Sequence, residues 1–293
     1  MRKAVICGLA SLALALPMVA EVVAVEPAAA ATQGANRKQV LSYGTDKLQQ
    51  IEYWSGAARN APLVVFVHGG GWKRGDMTMM DGSAKLTDWQ GKGYAVASLD
   101  YRLVPQATVE QQAADVSSAV AYLRSHAATF GFDPSRIVLI GHSAGAHLVA
   151  LVGTDPSYFR AAGLKLSDVK GIVPLDGAAY DVPRQLVIGA PLMHKTYVQA
   201  FGSNPARQKK LSPTFNAAAP NALRFLILHV QRPDGVAQSK ELAAALKKAG
   251  TPVEIQGFPG TGLKGHAEIN RQLGEPDYPA TPVVDAWLKQ VFG

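Results

Sequence analysis

The feature that most constrains this chain is the pentapeptide Gly-His-Ser-Ala-Gly at residues 141–145. The apolar run at residues 136–140 predicts a strand before it, and the pattern from Ala144 onward predicts a helix. In a strand–turn–helix context, Gly-x-Ser-x-Gly is typical of a sharp turn that exposes a serine hydroxyl at the carboxyl end of a sheet. Glycines beside such a serine let the chain pass closely. The motif therefore predicts a nucleophilic hydroxyl at Ser143.

Short β-branched runs alternate with helical patterns along the rest of the chain. The clearest predicted strands are residues 63–67, 94–99, 136–140, 171–175, 224–228 and 253–256, and the clearest predicted helices are residues 109–127, 237–249 and 282–291. This alternation predicts one α/β domain over residues 37–293, with a mostly parallel central sheet and helices on both faces. Residues 176–223 are too long for a plain loop, so we expect short helices there that cover one end of the sheet.

Residues 1–31 have the pattern of a secretory signal peptide. Two basic residues follow Met1, then comes an apolar run to residue 20 and an alanine-rich stretch. A membrane anchor is the alternative, but Pro17 interrupts the run and the apolar stretch is short for a membrane span. We therefore expect export, to the periplasm or the medium, without stable membrane insertion. Three alanines fit the cleavage position: Ala20, Ala24 and Ala31.

Composition excludes several classes of site. The one cysteine, Cys7, lies in the predicted leader, which excludes a disulfide framework and thiol catalysis in the mature protein. Lys and Arg total 29 against 22 Asp and Glu, giving a net charge of +7, but the basic residues are scattered. Because they form no long run and no aromatic stripe lies among them, a nucleic-acid partner is not indicated. Nucleotide-binding and metal-binding motifs are absent, so we expect no cofactor and no metal.

A second motif, His-Gly-Gly-Gly-Trp at residues 68–72, directly follows a predicted strand. Acyl transfer places negative charge on the former carbonyl oxygen, and preorganised N–H groups stabilise that charge. Glycines let the backbone turn its amides toward a substrate. We therefore assign the oxyanion hole to the amides of Gly70, Gly71 and Ala144. Trp72 is assigned to the substrate pocket, with packing against the sheet as the alternative.

A serine nucleophile also needs a base, and the base needs a carboxylate to orient it. The order along the chain after this type of motif is serine, acid, histidine. His266 follows the last predicted strand in a glycine-rich loop and is assigned as the base. Asp234 follows the strand that ends near His229 and is assigned as the acid. Asp176, at the end of the preceding strand, is the alternative acid.

Taken together, these segments resemble the α/β-hydrolase esterases, most closely the hormone-sensitive-lipase-like and BD-FAE-like carboxylesterases. The resemblance extends from about Tyr53 to the C-terminus. The segments that carry it are residues 68–72, Asp-Tyr-Arg-Leu at 100–103, Gly-Phe-Asp-Pro at 131–134 and residues 141–147, with Asp234 and His266. The resemblance implies an α/β-hydrolase fold and a Ser-His-Asp mechanism. The family pattern before the acid is His-Gly-x-x-Asp, whereas residues 229–234 here read His-Val-Gln-Arg-Pro-Asp and place Asp234 one residue later. The loop that carries His266 is also longer than is usual in the family.

The expected function is that of an exported serine esterase, for short acyl esters or acetyl and feruloyl esters, free or linked to polysaccharide. An arylformamidase is the first alternative, since residues 68–72 also fit the pattern of kynurenine formamidases; the signal peptide counts against it. A non-catalytic binding protein on a hydrolase scaffold is the second. The presence of Ser143, Asp234 and His266 counts against that one. The sequence does not predict the oligomeric state.

Overall fold

A computed structural model describes Met1, residues 38–218 and residues 220–293. The expected signal peptide and its cleavage positions lie outside these residues. The described residues from Lys38 onward belong to one compact unit. No helix in the described part of the chain has the length and apolar character needed to cross a membrane.

The described residues form an eight-stranded sheet. Its strands are β1 (Lys38–Ser42), β2 (Gln50–Trp54), β3 (Ala61–Val67), β4 (Ala95–Leu99), β5 (Phe132–His142), β6 (Gly171–Leu175), β7 (Phe225–Gln231) and β8 (Val253–Thr261). Their spatial order is β1-β2-β4-β3-β5-β6-β7-β8. The β1–β2 and β2–β4 pairs are antiparallel, and all pairs from β4 to β8 are parallel. The carboxyl ends of β3 to β8 therefore meet at one edge.

Twelve α-helices lie in the same residues. They are α1 (Ala84–Gly91), α2 (Val109–Ser125), α3 (Ala127–Phe130), α4 (Ala144–Thr154), α5 (Pro156–Ala161), α6 (Val182–Ile188), α7 (His194–Phe201), α8 (Pro205–Lys210), α9 (Pro213–Asn216), α10 (Pro233–Lys248), α11 (Gly262–Gln272) and α12 (Ala280–Phe292). Several begin where the sequence provides a cap; Thr108 and Gln111, for example, form a capping box at the start of α2.

Each face of the sheet packs against its own apolar core. Successive side chains of a strand point to opposite faces. In β3, Leu63 and Val65 belong to one core together with α2 and α4, whereas Val64 and Phe66 belong to the other with α1 and α12. The expectation of a mostly parallel sheet covered on both faces is confirmed. Parallel strands buried on both faces read as continuous apolar runs, which is why the sequence revealed them.

Residues 176–223 contain helices α6 to α9 and a 3₁₀ turn at Pro191–Met193, so the short helices expected in this covering segment are present. Other elements differ from the expectation. The antiparallel strands β1 and β2 and helix α1 were not predicted. Helix α10 begins at Pro233 rather than at residue 237, and residues 262–272 form helix α11 where a loop was expected.

Candidate active site

Ser143 lies on a strained turn between β5 and α4, as the pentapeptide motif predicts. Its φ of 57° and ψ of −115° are rare for a residue with a side chain. The two glycines of the motif are required by close contacts. A Cβ on Gly141 would lie 2.3 Å from the carbonyl oxygen of Gly145, and a Cβ on Gly145 would lie 2.1 Å from that of Val67. The backbone packing therefore fixes the position of the serine hydroxyl at the carboxyl edge.

His266 is the base nearest to Ser143. Its Nε2 lies 2.9 Å from the Ser143 Oγ, so the hydroxyl donates to the imidazole. His266 lies on α11 rather than in the expected loop. The glycines before it let this helix start close to β8, because a Cβ on Gly265 would lie 2.5 Å from the carbonyl carbon of Gly260. The structure thus brings together Ser143 and His266 as the sequence predicted.

The carboxylate that orients His266 is Asp176, the first residue after β6. The His266 Nδ1–H donates to the Asp176 Oδ2 over 2.6 Å, and the Val230 N–H donates to Oδ1 over 3.0 Å. Asp176 is completely buried. Burial alone would raise its pKa, but the hydrogen bond from His266 and the charge of Arg232 hold the pKa of Asp176 well below its usual range. The group is therefore a carboxylate across the physiological pH range.

Asp234, the acid assigned from the sequence, does not contact His266, and that assignment is corrected to Asp176. Because α10 begins at Pro233, Asp234 lies in the first turn of a helix instead of at a free strand end. Its carboxylate accepts from the Gln185 Nε2 over 2.9 Å and from the Arg232 Nη1 over 3.3 Å. Both aspartates follow strands at the same edge, but only Asp176 reaches the imidazole.

The glycine loop after β3 supplies free backbone amides beside Ser143. Gly70 and Gly71 have φ of 119° and 63°, and a Cβ on Gly70 would lie 1.9 Å from the carbonyl oxygen of Arg74. Within residues 38–218 and 220–293, neither amide donates a hydrogen bond to the protein. Ala144 is the first residue of α4, and amides at that position of a helix have no intrahelical acceptor. These are the three amides that the sequence assigned to an oxyanion hole.

His68 holds the glycine loop in place through a hydrogen bond and a stacked ring. Its Nδ1–H donates to the carbonyl oxygen of Gly69 over 2.7 Å, and its ring stacks on Tyr101 with 4.3 Å between the centroids. The Tyr101 hydroxyl donates to the carbonyl oxygen of His68 over 2.9 Å. Burial lowers the pKa of His68 to about 4, so the ring is neutral at physiological pH.

Trp72 both packs in the core and lines the site. It is 2% exposed, and its Nε1–H donates to the Nδ1 of His147 over 3.3 Å. The His147 Nε2–H donates in turn to the carbonyl oxygen of Leu211, and burial lowers the pKa of His147 to about 4. The indole edge also meets Phe201 at a centroid distance of 4.8 Å. Trp72 therefore packs in the core and also lines the cavity beside Ser143, while its contact with a substrate stays a prediction.

A small cavity of about 40 Å³ opens beside Ser143 and His266. Apart from the residues of the two motifs and His266, its lining comes largely from the covering segment. The lining includes Trp72, Ala178, Ala190, Met193, Tyr197, Arg232 and Leu263. Most of these residues could not be predicted, because the covering segment carries no motif and its folding over the sheet decides which side chains face the serine. Within the described residues, no group of three His, Cys, Asp or Glu side chains is placed to hold a metal ion.

Backbone strain is concentrated in these turns. Five residues other than glycine have positive φ in the described chain: Asn60, Trp72, Ser143, Asp176 and Ala179. Four of the five lie in the turns that form the site. Such clustering is common where a backbone must hold reactive groups in a fixed geometry.

Comparison with known proteins is consistent with this geometry. Residues 50–169 match the BD-FAE family model, a segment that contains the glycine loop and Ser143 and ends before Asp176 and His266. Esterase LipC of Mycobacterium tuberculosis is 36% identical over 129 residues, which are 42% of this chain and 32% of LipC. The kynurenine formamidase of Drosophila melanogaster is 35% identical over 127 residues, 43% of this chain and 41% of that protein. The chain thus spans less than half the length of either relative.

The fold is shared with solved structures over most of the chain. The crystal structure of esterase B from Lactobacillus rhamnosis superposes with a TM-score of 0.71 at 20% sequence identity, covering 87% of this chain and 84% of that one. The chain therefore has the α/β-hydrolase fold, as its motifs predicted.

Proposed function

We propose that this chain, which belongs to the α/β-hydrolase carboxylesterase family, hydrolyses carboxylic esters through an acyl-enzyme formed on Ser143. The observation that carries this proposal is the unbroken line of hydrogen bonds from Asp176 through His266 to the Ser143 hydroxyl. A serine becomes nucleophilic when a base within hydrogen-bond reach can take its proton, and a third group must orient that base.

The proposed reaction begins with attack of the Ser143 Oγ on the ester carbonyl carbon. The hydroxyl proton moves to the His266 Nε2, and Asp176 stabilises the imidazolium that forms. The tetrahedral intermediate then collapses, and the alcohol leaves with the proton from Nε2. A water molecule, deprotonated by the same nitrogen, attacks the acyl-enzyme carbonyl carbon. When this second tetrahedral intermediate collapses, the Ser143 Oγ leaves and takes the proton back from Nε2, and the acid is released.

The negative charge of each tetrahedral intermediate falls on the former carbonyl oxygen. We assign that oxygen to the amides of Gly70, Gly71 and Ala144, which have no acceptor within the described residues. Ala144 adds the positive end of the α4 helix dipole. Preorganised donors of this kind need no rearrangement when the charge appears, which is the source of their effect on rate.

The size of the cavity favours a short acyl group. The centre of a water-sized group can occupy only about 40 Å³ beside Ser143, so the space next to the hydroxyl is narrow. An acetyl group demands much less of that space than a feruloyl group does. We therefore favour acetyl esters, of small alcohols or of polysaccharides, over feruloyl esters.

Export is part of the proposal and rests on the leader pattern of residues 1–31 alone. Sequencing the N-terminus of protein recovered from outside the cytoplasm tests it. A chain that retains Met1 in that fraction, or that is found only in the cytoplasm, contradicts it.

The test of ester hydrolysis is Ser143→Ala with p-nitrophenyl esters from acetate to octanoate. We expect wild-type activity to be highest on acetate, and the variant to fall to the uncatalysed background, because no other hydroxyl contacts His266 in the described residues. Ser125→Ala, at an exposed position at the end of α2, is the matched control and should keep full activity. Hydrolysis that persists in Ser143→Ala would refute the proposal.

Formamide hydrolysis is the second candidate, favoured by the similarity to a kynurenine formamidase over 127 residues. The triad and the amides suit a formyl group, which is smaller than acetyl. Comparing kcat/KM on N-formylkynurenine and on p-nitrophenyl acetate separates the two activities. A large excess on the formamide would make it the principal reaction.

A further inference from the structure

Arg232 is a buried cation next to the proposed triad, with 7% of its surface exposed. Its Nε–H donates to the Asp176 Oδ2 over 3.0 Å, and an Nη2–H donates to the carbonyl oxygen of Gly177 over 3.0 Å. Its Nη1 lies 3.3 and 3.4 Å from the two oxygens of Asp234. The guanidinium is therefore shared between two carboxylates, only one of which contacts His266.

The position of Arg232 works against the task of Asp176. The same oxygen, Oδ2, accepts from both the His266 Nδ1–H and the Arg232 Nε–H. A cation bound to a carboxylate reduces the attraction that this carboxylate exerts on an imidazolium, and the reduction is large where little water screens the charges. With Arg232 and Asp176 alone, His266 would face a nearly neutral ion pair.

Asp234 supplies the missing negative charge. Arg232, Asp176 and Asp234 together carry one positive and two negative charges, and Asp234 is only 8% exposed. Gln185 holds the second carboxylate in place, since its Nε2 donates to the Asp234 Oδ2 and its Oε1 accepts from the Ala179 N–H over 3.3 Å. The group is thus fixed on the far side of the guanidinium from His266.

We infer that Asp234 is a positioning residue that acts through Arg232: it balances the guanidinium charge, so that Asp176 retains a net negative charge for the His266 imidazolium. This inference rests on the proposed function, because it concerns the base of that reaction. Asp234 touches neither the cavity nor the reacting atoms, whereas Arg232 lines the cavity. The pH profile therefore separates an effect of charge on His266 from an effect on the shape of the cavity.

Other charged or titratable groups contact His266 or lie on the elements around it, and the variants below leave them in place. They are His142 at the end of β5, Lys85 on α1, Lys264 and Glu268 on α11, and Tyr278 after α11. Burial keeps the pKa of His142 well below its usual value, and burial lowers the pKa of Lys85 to about 8. Neither of these two groups changes charge in the weakly acidic range where an imidazole base titrates.

The test compares the pH profile of kcat/KM in Asp234→Asn and Arg232→Gln. Loss of the negative charge makes the imidazolium less favourable, so the acidic limb should move to lower pH by about 0.5–1 unit in Asp234→Asn, with kcat roughly three- to tenfold lower. Loss of the cation should move the limb of Arg232→Gln to higher pH. If the Arg232–Asp234 pair had only a structural role, both variants would lose activity, but their acidic limbs would not move in opposite directions.

Glu241→Gln is the matched control. Glu241 also lies on α10 and pairs with Arg184 of α6, so the variant removes the same charge from an ion pair elsewhere on the same helix. Its pH profile should coincide with that of the wild type. Asp234→Glu, which keeps the charge, should restore the wild-type limb and shows whether loss of folding accounts for the effect of Asp234→Asn.

Labelling of Ser143 by a fluorophosphonate, followed as a function of pH, gives the same comparison without an ester. If the wild type labels and the limbs of the two variants move in the same direction, or do not move, the inference about Asp234 is wrong while the proposed nucleophile stands. If the wild type neither labels nor cleaves esters, the proposed function itself fails.

Discussion

The two sides of Ser143 are built from different chemistry. On one side, which we call the charged side, the ends of β6 and β7 and the start of α11 bring together Asp176, Arg232 and His266. On the other, the aromatic side, Trp72 and the neutral rings of His68 and His147 support the glycine loop. The serine stands between a cluster of ion pairs and a set of neutral rings.

The difference follows from what each side does in the proposed reaction. Proton transfer requires a base whose charged form is stabilised, and only a carboxylate nearby provides that. Stabilising an oxyanion requires dipoles at fixed positions instead. A cation on the aromatic side would need its own counterion, because an unpaired charge is expensive to bury. Neutral histidines hold the loop through hydrogen bonds without that cost.

Asp176→Asn removes the essential charge of the charged side and should have the largest effect. We expect kcat/KM to fall by about 10³–10⁴, since an amide neither stabilises the imidazolium nor holds the Nδ1–H tautomer. Asp234→Asn should stay within about tenfold of the wild type. Steady-state kinetics on p-nitrophenyl acetate measure both, with thermal unfolding as the check on folding. Equal losses in the two variants would mean that the acid is not Asp176 alone.

Gly71→Ala tests the aromatic side. Gly71 has a φ of 63°, and a Cβ there would lie 2.9 Å from the Thr196 Cγ2, so the loop must shift and its amide must turn. We expect kcat to fall by about 10²–10³, the effect of losing one oxyanion donor. Gly82→Ala is the matched control, because Gly82 also has a φ of 63° but has open space around it. If both variants retain activity, the Gly71 amide is not a donor.

The pH dependence of stability gives the smallest effect. His147 is fully buried and its pKa is about 4 in the folded state against 6.5 for the free side chain. Between these values the unfolded state binds more protons, so His147 makes the free energy of unfolding fall as the pH falls from 6.5 to 4. His68 acts in the same direction. Burial raises the pKa of Asp100 to about 6. Protonation of Asp100 therefore stabilises the folded state as the pH falls, which offsets part of the decrease in the free energy of unfolding.

His147→Gln should therefore weaken this pH dependence. Between pH 7 and pH 5 the decline in the free energy of unfolding should be smaller than in the wild type by about 2 kcal/mol. Urea unfolding at the two pH values measures it. His126→Gln, at an exposed position after α2, should follow the wild type. An unchanged decline in His147→Gln would show that His147 is charged in the folded protein.

Much of the fold could be predicted because its central strands are buried on both faces. Residues 63–67 and 171–175 read as continuous apolar runs, which identify strands without knowledge of their neighbours. Strand β1, Lys38–Ser42, alternates between exposed and partly buried residues and mixes polar with apolar types. A short edge strand of that kind is stabilised by its pairing with β2, and this pairing cannot be predicted from the residues of β1 alone.

The site could be predicted to the extent that it is local. Ser143 and the amides of the glycine loop belong to short motifs, and His266 follows the last strand. The choice between Asp176 and Asp234 depends on which strand end lies opposite the imidazole, and it was wrong. A left-handed turn directs Asp176 to His266, and Pro233 starts a helix that directs Asp234 to Arg232. Neither outcome follows from the spacing of aspartates along the chain.

The left-handed backbone conformations around Ser143 have a consequence for how the molecule behaves when it is weakened. Residues with side chains cost roughly 1–3 kcal/mol each in such conformations. Trp72, Ser143, Asp176 and Ala179 together therefore cost an amount comparable to the net stability of a typical domain, about 5–15 kcal/mol. Relaxation of any of these turns lowers its own free energy and removes the reactive geometry. The packing of the sheet therefore determines whether the chain folds. It also determines what fraction of the folded molecules holds Ser143 in the geometry of the proposed reaction.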